Sequence, residues 1–235
     1  MTWMLLATYM LALAVACVIF GVIVFLHRRA RKIKTVAPVS PSILFQKIPN
    51  NRPRTWAAIR AATPATVQRA LGLNRSMPCS WSEGMTGEHD FFISQRINGW
   101  VIVTGAGLPN PSDDVDGCFL FLIALSRKLG HVQFFHSEIF SHHHAWARLD
   151  DGYVTRAYAW AGETVWNQGE KTALEMELKM KCFNYGEDVF SEKILQANCD
   201  KVSLLAARWS MDPARVSSRA SKVANGIAGE SSPVI

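Results

Sequence analysis

The sequence predicts an α+β protein: an N-terminal single transmembrane helix followed by a cytoplasmic domain with a mixed, mostly antiparallel sheet packed against helices. Three observations predict it. Residues 3–26 form an uncharged apolar run, a strand, a long apolar helix and a second strand follow one another between residues 100 and 135, and Asp150-Asp151-Gly152 separates two β-rich runs. The expected division is a transmembrane helix over 1–26, a basic, Pro-rich juxtamembrane linker over 27–53, an α+β domain over 54–215 and a disordered tail over 216–235.

The first run, WMLLATYMLALAVACVIFGVIVFL, has 24 residues without a charge. As a helix rising ~1.5 Å per residue it spans about 36 Å, enough to cross an apolar core of about 30 Å with some tilt. A cleaved signal peptide wants a basic start and a shorter apolar stretch, and this run has neither. Five permanent charges follow at Arg28, Arg29, Arg31, Lys32 and Lys34. Basic flanks stay on the cytoplasmic side, which predicts an inner-membrane protein with its N-terminus outside and its domain in the cytoplasm. The same five residues are candidates for contact with the anionic headgroups of a lipid bilayer. His27, at the inner end of the run, is a candidate ligand for a pigment or metal, because imidazole is the commonest metal-binding side chain. A reducing compartment also suits five cysteines, an odd number with no CxxC spacing, which form neither a zinc ribbon nor a dense disulfide framework.

The net charge of +6 suggests nucleic-acid binding until it is divided along the chain. Residues 27–75 hold 11 Lys and Arg and no acid, whereas residues 76–235 hold the other 14 against all 19 Asp and Glu, a net of −5. An acidic domain on a basic tether is a poor match for phosphate, so no nucleic-acid partner is expected.

Pro38, Pro41, Pro49 and Pro53 make the linker extended, and residues 54–62 read as a short helix. Thr63 as N-cap and Pro64 at the first helical position open a second helix that ends at Gly72. Residues 91–93 and 100–104 are strands. Gly105-Ala106-Gly107 follows the strand as a dinucleotide loop does, but Asn110 stands where a third glycine belongs, and Pro109 and Pro111 stop a helix from starting there. The helix begins later, with Ser112 as N-cap, Asp113, Asp114 and Asp116 in the first turn, Arg127 and Lys128 in the last and Gly130 beyond. Capping accounts for the aspartates without a metal. Residues 118–125 are apolar nearly all round, so this helix is expected to be deeply buried or sandwiched. A strand over 131–135 and a hairpin of 145–149 with 153–158 follow, the Asp-Gly turn being a strong hairpin signal. A closing loop over 160–169, an exposed helix over 171–181 with a Glu175–Lys179 pair, and a last helix over 202–209 complete the domain.

The densest group of chemical side chains is His131, His136, Glu138, His142, His143 and His144. On a strand, His142 and His144 share a face, and His136 or Glu138 from a neighbouring strand completes three metal ligands with an open position for water. His136, His142 and His144 are therefore the candidate metal centre, and no cofactor is expected beyond a metal there or a pigment at His27. Among the cysteines, Cys79 could meet a histidine and Cys182 follows two lysines, but neither lies in a recognisable nucleophile pattern. Trp146, Tyr158, Trp160 and Trp166 are candidates for the rim of a partner-binding face. These features point to a non-catalytic accessory or assembly subunit of a larger membrane protein complex, with other subunits as partners. The alternative is a membrane-tethered metal-dependent hydrolase built on the three histidines.

Overall fold

Val101 and Val103 pack into one hydrophobic core while Ile102 between them packs into another, and the same split separates Phe134 from Phe135. Period-two alternation with both sets apolar requires a sheet covered on both faces. The computed structural model, which describes residues 53–60, 63–189, 191–216 and 225–231, has this form. All of these residues belong to the unit Lys47–Ile235.

Among the described residues nine strands form one sheet: β1 Thr55–Arg60, β2 Leu73–Cys79, β3 Phe91–Ile93, β4 Trp100–Thr104, β5 Val132–Glu138, β6 His143–Asp150, β7 Tyr153–Trp160, β8 Thr164–Gln168 and β9 Gly226–Ser231. Their order is β2-β9-β3-β4-β1-β5-β6-β7-β8, and every pairing is antiparallel. Five α-helices accompany them among the described residues: α1 Pro64–Leu71, α2 Trp81–Gly84, α3 Val115–Leu129, α4 Ala173–Glu177 and α5 Glu192–Trp209. Val67 of α1 and Cys118, Leu122 and Leu125 of α3 pack on one face with Ile59, Val101 and Phe134. Trp81 of α2 and Leu195, Val202 and Leu205 of α5 pack on the other with Trp56, Trp146 and Tyr158. Full burial of each such side chain contributes roughly 1.5–3 kcal/mol, so both layers matter to stability.

Local signals set several boundaries. Thr63 caps α1 by accepting a hydrogen bond from the Thr66 amide at 3.2 Å, and Gly72 ends it in the left-handed region. Asp150 and Tyr153 pair across a two-residue turn in which Asp151 and Gly152 both have positive φ, the backbone that an Asp-Gly turn supplies.

The predicted fold class needs correction. Among the described residues, no helix is long and apolar enough to cross a membrane, so the expected transmembrane architecture is not found in them. The apolar run over 3–26, His27, the basic set Arg28, Arg29, Arg31, Lys32 and Lys34, and nearly all of the 27–53 linker lie outside the described residues. The sheet is antiparallel throughout instead of mixed. β4 and β5 run in the same direction, as a strand-helix-strand crossover demands, but β1 is inserted between them and pairs antiparallel with both. Residues 55–60 are therefore a central strand, where a short helix was expected.

Three further elements differ. Residues 164–168 form strand β8 inside the expected closing loop, and the helix expected over 171–181 is one short turn whose Glu175 is fully buried. Part of the expected disordered tail is β9, which pairs with both β2 and β3. Helix α3 is capped by Asp114, not Ser112, through a 2.9 Å bond from the Gly117 amide.

Candidate functional site

The histidines expected to form a metal centre are held apart by the pleat of the sheet. His136 on β5 lies toward the α3 face, its Nδ1 2.8 Å from the Thr55 hydroxyl. His144 on β6 lies under α5 on the opposite face. Its Nδ1–H donates to the His142 carbonyl at 2.8 Å, and its Nε2 accepts from the Asn198 amide at 3.1 Å. Both nitrogens are spent, so His144 is a structural hydrogen bonder. His142 precedes β6, in a turn with φ 58°, and does not share a strand face with His144. Burial lowers both His136 and His144 to about 4, so each is neutral at pH 7. His131 is also committed, with Nδ1 paired to Asp150 and Nε2 2.9 Å from the Gln133 amide.

The four aromatics expected on a binding rim are core residues: Trp146, Tyr158, Trp160 and Trp166 are each at most 8% exposed. Their polar atoms serve the interior. Trp146 Nε1 donates to Glu175 at 2.8 Å, and Tyr158 accepts from the Phe183 amide at 3.2 Å. Glu175 is the hub of this region. It receives the Arg156 guanidinium at 2.8–3.1 Å and the Thr172 amide at 2.8 Å. Burial alone would raise its carboxyl, but Arg156, Thr172 and Trp146 hold it below the usual carboxylate range. Arg156 Nη1 shares its two hydrogens among the Ala157, Gln168 and Gly169 carbonyls and Asn167 Oδ1, and Nη2 also donates to Cys182 Sγ at 3.1 Å. The network is satisfied internally and closes the β7–β8 end of the sheet.

Cysteine nucleophiles find no support. Burial pushes the thiols of Cys79 and Cys182 up to about 11 and that of Cys118 up to about 12. Each is protonated at neutral pH, and the thiol is the unreactive form.

Two surface features remain. The first is a cleft of about 480 Å³ lined by Arg54, Thr55, Gly105, Asn110, His136 and Glu138, among others. Arg54 and Glu138 form an ion pair at 2.7 Å on its wall. His136, only 3% exposed, lines the cleft, and its Nε2 has no hydrogen-bond partner among the described residues. With Nδ1 engaged by Thr55, the free nitrogen is available to a polar group in the cleft. Sequence reasoning singled out His136 but missed Thr55 and Arg54, since these become its neighbours only through the pairing of β1 with β5.

The second feature is the outer side of α3. The sequence predicted a helix deeply buried or sandwiched, yet only Cys118, Leu122, Leu125 and Ser126 are buried. Leu120 is 64% exposed, Ala124 is exposed, and Phe121 and Ile123 are half-buried beside them. Asp116 lies at one end of this strip and Arg127 and Lys128 at the other, all exposed. The strip is thus apolar in the middle, acidic at its start and basic at its end.

No known family model matches this chain, and no curated protein or solved structure shows significant similarity to it.

Proposed function

We propose that this domain is a non-catalytic interaction module, an accessory or assembly subunit of a larger protein complex, that binds a partner protein through the outer side of α3. The observation that supports this reading is the mismatch between the composition of α3 and its packing. The sheet needs one apolar side of the helix, but the sequence supplies two, and the second leaves Leu120 64% exposed. Exposed apolar surface rimmed by charge is characteristic of protein contact sites. The partner that fits is an apolar helix with basic residues opposite Asp116 and acidic residues opposite Arg127 and Lys128. The hydrolase alternative draws no support from the geometry, because His136, His142 and His144 do not converge.

The test is native-gel migration of the full-length protein extracted under mild conditions. Wild type is expected to run in an assembly larger than its 26.1 kDa chain, and Leu120→Glu to run alone while keeping its fold. A wild-type monomer, or a folded Leu120→Glu that stays in the assembly, overturns the proposal.

A further inference from the structure

We propose that Cys79, Glu83 and His89 form a binding site for one divalent cation of the zinc class. Each residue offers one ligand atom, and the three atoms lie within 4.8 Å of one another. A tetrahedral zinc site with bonds of about 2.0–2.3 Å sets its ligand atoms roughly 3.4–3.6 Å apart, so a closure of about 1 Å completes the geometry. His89 Nε2 is buried, has no hydrogen-bond partner among the described residues and lies 3.6 Å from Glu83 Oε1.

The chain around the three residues is pinned. Cys79 ends β2, and Ser80 caps α2 by accepting from the Glu83 amide at 3.2 Å. Trp81 then packs edge-on against Phe92, with ring centroids 6.1 Å apart, and Thr104 donates to the Gly84 carbonyl at 2.8 Å. The His89 carbonyl accepts from the Ala106 amide at 2.9 Å. Backbone positions are therefore set by the core, while the Glu83 side chain is exposed and its carboxylate already reaches toward His89 and Cys79. A thiolate, an imidazole and a carboxylate form a donor set for zinc, whereas calcium and magnesium seek oxygen alone. The thiolate and carboxylate neutralise the 2+ charge, the thiol proton leaves to solvent on binding, and a fourth position stays open to water.

Cobalt(II) titration of the full-length protein tests the site, because a thiolate bound to Co2+ gives a charge-transfer band that oxygen and nitrogen ligands do not. The expected result is a saturable band at one Co2+ per chain, displaced by Zn2+ and absent in Cys79→Ser. Glu83→Gln, a surface change that leaves the fold intact by near-ultraviolet circular dichroism, should bind at least about tenfold more weakly, and His89→Gln likewise. Absence of the band in wild type, its persistence in Cys79→Ser, or unchanged affinity in both Glu83→Gln and His89→Gln overturns the proposal.

Discussion

His136 and His144 show how one residue type serves two purposes that the sequence alone does not separate: both are buried and neutral, but among the described residues one has a nitrogen left over and the other does not. Their shared burial has a consequence for stability. In the unfolded chain each titrates near 6.5, and in the folded protein near 4. Between these values the unfolded state binds more protons, so stability is full above about pH 6.5 and declines as pH falls toward 4. Each histidine contributes on the order of 3 kcal/mol to that decline. Urea unfolding at pH 7 and pH 4.5 should show a lower midpoint at the acid pH, and a His144→Gln variant should show a shallower pH dependence. An equal midpoint at both values contradicts the assignment. Arg156 and Glu175 make the corresponding case for a charge pair. Removing one partner strands the other in the core, so Arg156→Met is expected to cost about 3–5 kcal/mol in urea unfolding. Replacing both with apolar residues should cost less than either single change.

Elements whose cause is local were legible in the sequence, and those whose cause is distant were not. Helix α1 has its cap, its proline and its terminal glycine within ten positions, and the β6–β7 hairpin has its turn residues between its strands. By contrast, β1 reads as a short helix until β4 and β5 claim it on both sides. Glu175 reads as a surface charge because its partner Arg156 lies on another element. The candidate centre failed for the same reason: His136 and His144 belong to adjacent strands, and only their register reveals that they face opposite ways. The legible hairpin carries its own prediction. Gly152 has φ 84°, and a Cβ there would lie 2.3 Å from Arg127 Cγ. Gly152→Ala should cost about 1–2 kcal/mol in thermal unfolding, from left-handed backbone strain alone, with more if Arg127 cannot move aside.

At the scale of the whole molecule, the sheet is closed by the part of the chain least suggestive of structure. β9 is drawn from a Ser-, Ala- and Gly-rich tail, yet it lies between β2 and β3, and among the described residues β2 has no other strand neighbour. Its first residue is tightly enclosed, since a Cβ on Gly226 would lie 1.9 Å from the Ile93 carbonyl oxygen. A chain ending at residue 216 would therefore free β2 from the sheet and expose the edge of β3, leaving unpaired amides and carbonyls beside Phe92 and Trp81. Such a chain should lose hydrogen-exchange protection in β2 and β3 first and aggregate through the open edge, whereas β5, β6 and β7 keep their protection for as long as it stays in solution. The full chain with Gly226→Val should show the same regional loss, because the strand cannot seat without moving Ile93. Equal protection of β2 in the full and shortened chains would mean that β9 is an ornament to the sheet and not its closing strand.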